Sequence, residues 1–196
     1  MTPESEWVQE IRSLRSADLS AELFRHFNRY QLVTKCWRKE EDRWVIRDIA
    51  FTEQWSDADY IHLLDSLRHT LSKGGWIGGA FENSRLIGFA SVEGDSFGEQ
   101  GEYLQLSNLH VSCESRRKGI GKALLGEAAS WARQAGAGKL YISAHSAVES
   151  QAFYRAVGCT EAVWIHPGLA AAEPCDCQLE YDLQRSSSQH MRGRTP

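Results

Sequence analysis

The sequence is organised around residues 109–122, which read LHVSCESRRKGIGK. Alternating apolar residues predict a strand over Tyr103–Ser112, and apolar residues at helical spacing predict a helix over Gly119–Gln134. A turn that joins a strand to a helix exposes main-chain N–H groups at the helix start, where the helix dipole is positive. We therefore expect this turn to bind an anion.

The residue types in the turn suit a diphosphate. Gly119 and Gly121 lack the Cβ that would hold a ligand away from the main chain. The spacing is neither GxxxxGK[ST] nor GxGxxG. A solvated basic turn is the alternative, but three cations directly before two spaced glycines favour a ligand. The basic residues around the turn are Arg116, Arg117, Lys118 and Lys122.

The same turn resembles the cofactor-binding signature of the GNAT superfamily of N-acetyltransferases. That signature is Arg or Gln, two residues, Gly, one residue, then Gly or Ala, and here it begins at Arg116. After a predicted strand over Lys139–Ala144, residues 150–159 (SQAFYRAVGC) resemble the family's second motif. The match is close over Tyr103–Trp164 and looser over Trp7–Leu183.

The resemblance implies one GNAT-like α/β domain over residues 1–184. Its central sheet would be mixed, mostly antiparallel, splayed at the acetyl-CoA site and flanked by helices. Residues 185–196 are polar and are predicted to form a disordered tail.

The resemblance also implies the activity, which is transfer of acetyl from acetyl-CoA directly to a primary amine. Main-chain amides of the turn would hold the pyrophosphate, the edge of the strand at 109–111 would pair with the pantetheine arm, and Tyr154 would protonate the leaving thiolate. The residues implied in cofactor binding are Leu109, His110, Val111, Arg116, Arg117, Lys118, Gly119, Ile120, Gly121, Lys122 and Phe153.

The general base is left open by the sequence. A protonated amine must lose a proton before it attacks. In some relatives a Glu on the fourth strand takes it, but the aligned residue here is Gln105. The candidates are Glu102 at the strand start and His145 at the end of the next strand, with His145 preferred.

Two further alternatives concern the same strand and the tyrosine. Water relayed through Ser107 or Asn108 would also remove the proton. His110 faces away from the side chains of its neighbours, which favours a core role for its ring. The ring of Tyr154 could instead pack its helix on the sheet, although its position after the turn favours catalysis.

Four positions depart from the family pattern. Cys113 stands where Pro is frequent, Arg117 where Gly is common, Val148 where Asn often precedes the second motif, and Cys159 where Phe is usual. None removes a group that the chemistry needs, so we expect a divergent subgroup.

Composition restricts the function classes. The chain has 196 residues, a net charge of -4, five cysteines and no long apolar run. We expect a cytoplasmic protein with a small-molecule amine acceptor, no metal, no nucleic-acid partner and no membrane; a homodimer is left open. The alternative functions are acetylation of a protein or peptide amine and non-catalytic sensing of acyl-CoA.

The rest of the chain is predicted as alternating helices and strands. Trp37, Trp44 and Trp55 belong either to the core or to the wall of an acceptor site. The remaining predicted elements are a strand at Trp7–Leu14, a helix from Asp18 to Tyr30 extending over Gln31–Glu40, a strand or loop at Arg43–Phe51, a helix at Asp59–Ser72, strands at Trp76–Phe81 and Arg85–Val92, a helix at Glu149–Val157, a strand at Thr160–Ile165, a connector at Gly168–Glu173 and a strand at Cys177–Leu183.

Overall fold

The computed structural model describes residues 10–184. The predicted tail and the first residues of the predicted strand at Trp7 lie outside that range. The strands are β1 (Glu10–Ser13), β2 (Gln31–Glu40), β3 (Arg43–Glu53), β4 (Trp76–Glu82), β5 (Arg85–Val92), β6 (Tyr103–Val111), β7 (Lys139–Ala144), β8 (Thr160–Glu161) and β9 (Cys177–Asp182). The α-helices are α1 (Asp57–Ser72), α2 (Ile120–Gln134), α3 (Val148–Ala156) and α4 (Pro167–Ala172).

Seven strands form the central sheet, in the order β1-β4-β5-β6-β7-β9-β8. Every neighbouring pair is antiparallel except β6 and β7. The apolar face of α2 covers one side of the sheet, with Leu124 and Ala128 fully buried, and α1 packs on the other side through Leu67. The mixed, mostly antiparallel sheet expected from the sequence is confirmed.

The sheet splays between β6 and β7. The two strands pair only from Tyr103 to Gln105, after which β6 stays with β5 and β7 stays with β9. Beyond Gln105 the two parallel strands therefore leave an open gap between them.

A bulge in β6 lies where this gap begins. Ser91 pairs with Asn108 and the next residue of β5 pairs with Leu106, so Ser107 is the extra residue. The bulge shifts the alternation of side chains along β6 by one residue. Leu106 faces α2 before the bulge and Leu109 faces it after the bulge, and both contact the main core cluster. The strand thus turns its polar residues, including Ser107, away from α2.

The segment before α1 differs from its prediction. Instead of a helix from Asp18 to Tyr30, there are two short 3-10 turns at Ser16–Asp18 and Ala21–Phe24. Ser20 has an extended backbone and its side chain accepts from Leu23 N–H, which starts a new turn. The predicted apolar positions are nevertheless buried, because short turns also bring them to one side; they include Leu19, Phe24 and Phe27.

The predicted helical extension over Gln31–Glu40 is wrong, because these residues form β2. They pair along their length with β3, through a tight turn at Glu41 and Asp42 in which both residues have positive φ. The hairpin contacts the sheet where Cys36 bridges Ala147 and Trp37 N–H donates to Ser146 O at 2.8 Å. Pairing with the next strand of a hairpin outweighs local helix propensity here.

The three tryptophans occupy two environments. Trp37 and Trp44 pack against the main core beside α3, and the guanidinium of Arg155 lies 4.7 Å from the Trp37 ring centroid. Trp55 instead packs edge-on to Tyr60 on the α1 side of the sheet. Tryptophans of the hairpin therefore cover α3, whereas Trp55 joins the second core cluster.

Several smaller elements complete the comparison with the sequence. The hairpin of β4 and β5, the helix α1 with Ser56 as its N-cap, and α3 are close to their predicted bounds. The strand predicted over Thr160–Ile165 is only two residues long, and Pro167–Ala172 is a short helix rather than a connector. Between residues 10 and 184, no helix has the length and apolar character needed to cross a bilayer.

Candidate active site

The basic turn before α2 presents main-chain donors without partners. Gly119 is the N-cap residue with φ +83°, and no side chain caps the helix. Arg117 also has positive φ, +62°, at the position where the family pattern has Gly. Across residues 10–184, no acceptor pairs with the amides of residues 117–122, so several N–H groups converge at a positive helix end.

Arg116 supports this turn from behind. Its Nε donates to Val111 O at 3.1 Å, which ties the turn to the end of β6. The side chain is half-buried, and burial lowers the pKa of the guanidinium. Arg117, Lys118 and Lys122 are exposed around the turn and supply positive charge there.

The second motif approaches the same turn. A Cβ added to Gly121 would lie 3.2 Å from Cε2 of Phe153 and 3.7 Å from Cγ2 of Val111. The first turn of α2, the end of β6 and the helix α3 therefore meet at the gap between β6 and β7. Of the four departures from the family pattern, the structure explains Cys113. Its N–H donates to Asn28 O at 2.9 Å, a hydrogen bond that proline cannot make.

Tyr154 follows Phe153 on α3. Its ring packs against the main core and makes an edge contact with Phe153 at 5.1 Å. Burial raises the pKa of the phenol above its ordinary value. The hydroxyl has no hydrogen-bond partner among residues 10–184, and its oxygen is not among the fully buried unpaired atoms. Because its pKa is raised, the phenol keeps its proton, and it can donate that proton to a ligand.

His145 lies at the end of β7 in a polar cluster. Its Nε2 is 3.2 Å from Oε1 of Glu53, and its Nδ1 accepts from Ala147 N–H at 3.1 Å. Arg29 Nη2 holds the other oxygen of Glu53 at 3.0 Å. Both ring nitrogens of His145 are therefore engaged, and the ring can take a proton from a substrate only by giving up one of these bonds.

Glu53 and Arg29 were missed by the sequence analysis. His145 and Arg29 lower the pKa of Glu53 to about 2, so its carboxylate stays charged. The same carboxylate raises the pKa of His145. Neither Glu53 nor Arg29 lies in a motif, and no local pattern links them to a histidine on a distant strand.

Replacement of Glu53 by Gln is expected to lower the pKa of His145, because the carboxylate that favours the imidazolium is removed. NMR titration of the His145 ring protons measures this directly. Glu40→Gln is the matched control, since Glu40 pairs with Arg47 at the far end of the same hairpin. An unchanged His145 titration in the Glu53→Gln protein would contradict the ion pair.

The remaining candidates lie apart from the open half of the gap. Glu102 precedes β6, and its side chain accepts from Gln100 N–H at 3.0 Å within its own loop. His110 lies on β6 with its ring 4.9 Å from that of Trp55, on the α1 side. Burial, and then Arg29, lower the pKa of His110 to about 3, so the ring is neutral.

Comparison with known proteins assigns the family. The sequence model of the acetyltransferase (GNAT) family matches residues 22–159. The chain belongs to the GNAT acetyltransferase family. Members of this family transfer acetyl from acetyl-CoA. Three features of the turn suit the diphosphate of that cosubstrate: its uncapped amides, the open space at the Cβ position of Gly119, and the cations around it. No curated protein sequence gives a significant match.

Solved structures share the fold. Nourseothricin acetyltransferase has 20% identity and a TM-score of 0.60, covering 88% of this chain and 95% of that one. A protein from Bacillus anthracis str. Ames, provisionally assigned as a streptothricin acetyltransferase and complexed with acetyl coenzyme A, has 15% identity and a TM-score of 0.63, covering 88% and 96%. PaiA N-acetyltransferase from Thermoplasma acidophilum, complexed with coenzyme A, has 17% identity and a TM-score of 0.55, covering 89% and 99%.

Proposed function

We propose that this GNAT acetyltransferase acetylates a primary amine on a small molecule. The observation that carries the proposal is a cavity of about 260 Å³ on the α1 side of β6, beside the point where β6 and β7 part. Gln105, the last residue of β6 that pairs with β7, lines it together with two carboxylates, Glu93 and Asp95. This volume lies just below the range of about 300–1,000 Å³ for drug-sized ligands, so it suits only a small one, and the carboxylates suit a cation.

The names of two structural neighbours support a small acceptor. Those proteins are described as acetyltransferases of nourseothricin and streptothricin. The sheet, the turn and the second motif of this chain form the same fold, so an acceptor of similar size is the simplest extension to it.

The proposed roles follow from the geometry of the site. The amides of residues 117–122 hold the pyrophosphate, and the cations around them neutralise its charge. Acetyl-CoA supplies an activated acyl group. Tyr154 donates its proton at the sulfur, while the edge of β6 beyond Gln105 holds the pantetheine arm by main-chain bonds. The residues proposed for cofactor binding remain Leu109, His110, Val111, residues 116–122 and Phe153.

A screen of amines with acetyl-CoA, read by release of free thiol, tests the proposal. We expect turnover with small alkylamines, polyamines or amino sugars and little with a library of peptides that carry free amino groups. Faster turnover of peptides than of any small amine would instead establish a protein or peptide acceptor. Calorimetric binding of acetyl-CoA without turnover of any amine would establish a sensor.

A further inference from the structure

A carboxylate of the cavity is connected by hydrogen bonds to the bulge in β6. Glu93 follows β5, and its N–H donates to Gln105 O at 2.9 Å across the two strands. Its Oε1 accepts from Ser107 Oγ at 2.5 Å and from Thr70 Oγ1 at 2.9 Å. The carboxylate is therefore held in one place by two hydroxyls, one of which belongs to the extra residue of the bulge.

The hydrogen-bonded chain continues along the bulge. Ser107 Oγ lies 2.8 Å from Ser91 Oγ, which accepts from Asn108 Nδ2 at 2.8 Å. Ser91 is fully buried. A chain of hydroxyl groups that starts at a carboxylate can pass a proton by rotation of each hydroxyl. Its last member, Asn108, lies on β6 beyond Gln105, where the pairing with β7 has ended.

Among the cavity's lining residues, Glu93 is distinguished by this connection. The lining residues are His69, Lys73, Glu93, Asp95, Ser96, Phe97, Gln105 and His166. Gln105 cannot accept a proton at neutral pH. Asp95, the second carboxylate, is exposed and has no hydrogen bond to the bulge in the described structure. Glu93 Oε2 has no hydrogen-bond partner within residues 10–184, so this oxygen keeps its capacity to accept a proton or a hydrogen bond.

We infer that Glu93 accepts the proton of the acceptor's ammonium group, directly or through Ser107, and that the acceptor is an amine protonated at neutral pH. This inference rests on the proposed function. In the direct route one ammonium proton moves to a carboxylate oxygen of Glu93. In the relayed route Ser107 Oγ takes that proton and passes its own to Oε1. Either route frees the nitrogen lone pair.

The step balances with the acetyl transfer. The freed lone pair forms the new N–C bond, the C–S bond breaks, and the sulfur takes a proton from Tyr154. The nitrogen then loses its second proton to solvent, which leaves a neutral amide. Glu93 afterwards releases its proton to water through the cavity, and Tyr154 regains one from solvent. The net change is ammonium and acetyl-CoA to amide, CoA and one proton released to water. Two carboxylates against one lysine in the cavity favour a cationic acceptor over an anionic one.

Two acceptors that differ in protonation test the inference. 1,5-Diaminopentane, or the alkylamine of the panel that reacts fastest, must lose a proton before attack, whereas hydroxylamine is mostly unprotonated at neutral pH. Glu93→Gln is expected to lower kcat/KM for the alkylamine about 10- to 100-fold and to change that for hydroxylamine by no more than about twofold. Asp95→Asn is the matched control: it removes the same charge from the same cavity and should raise KM for the alkylamine without lowering kcat.

The outcomes separate this inference from the proposed function. Equal losses with both acceptors, accompanied by a lower Tm, would show that Glu93 acts only by holding Ser107 and Thr70, and unchanged rates would also overturn its role. In either case the wild type still acetylates amines and the proposed function stands. Wild-type protein that binds acetyl-CoA but acetylates neither nucleophile would overturn both. Ser107→Ala, which leaves Glu93 in place, should reduce the alkylamine rate selectively if the proton is relayed.

Discussion

Gly119→Val is expected to weaken acetyl-CoA binding about a thousandfold. Gly119 has φ +83° and is the first residue of the uncapped helix start, so a β-branched residue would force the backbone out of this conformation. The amides that converge on the diphosphate would then turn away. Charge-assisted hydrogen bonds contribute about 1.5–3 kcal/mol each, so loss of two of them removes about 4 kcal/mol, close to a factor of 1,000 in Kd.

A control within the same helix separates binding from folding. Gly136 follows α2 with φ +92°, and a Cβ added there meets no atom within 4 Å, as at Gly119. Gly136→Val should therefore cost a similar amount of stability while leaving acetyl-CoA affinity unchanged. Isothermal titration calorimetry measures the affinities, and thermal unfolding monitors stability. An unchanged Kd in the Gly119→Val protein would mean that the turn does not hold the cosubstrate.

The parts of the fold predicted correctly are those that local sequence determines. The strand, turn and helix around Gly119 are encoded by two glycines and a helical apolar repeat within a short stretch. The helix α1 likewise carries its own start signal, because Ser56 and Asp59 form a capping box. Such signals need no knowledge of the rest of the chain.

The errors lie where contacts outside the segment itself decide the structure. The residue pattern of 31–40 taken alone is compatible with either a helix or a strand, and pairing with β3 selects the strand. The bulge at Ser107 likewise depends on β5 and is not encoded by a glycine in β6. A helix was also predicted across Ser20, whose side chain instead starts a separate short turn.

The candidate site divides in the same way. The basic turn before α2 is continuous in sequence, and the sequence predicts its position between strand and helix. The polar clusters near the turn and the cavity are not continuous in sequence. Glu53 reaches His145 from the end of β3, and Glu93 reaches Ser107 from the end of β5. A carboxylate of this kind carries no spacing signature, so only the three-dimensional arrangement connects it to the site.

Tyr154→Phe is expected to lower kcat about 100- to 1,000-fold while changing the Kd for acetyl-CoA by no more than about twofold. The hydroxyl donates to no group of the described structure, so its removal breaks no bond within the protein and the ring still packs on Phe153. Because burial raises the pKa of the phenol, the native tyrosine holds its proton at neutral pH and can pass it to the leaving sulfur.

Tyr60→Phe provides the opposite pattern as a control for Tyr154→Phe. Tyr60 donates to Phe27 O at 2.8 Å on the α1 side of the sheet, so its loss should lower Tm and leave kcat unaltered. Single-turnover rates with saturating acetyl-CoA isolate the chemical step from product release. Full turnover by the Tyr154→Phe protein would show that water or another residue protonates the leaving thiolate. A loss matched by weaker acetyl-CoA binding would instead mean that the phenol positions the cosubstrate, because an acid acts only as the thiol departs.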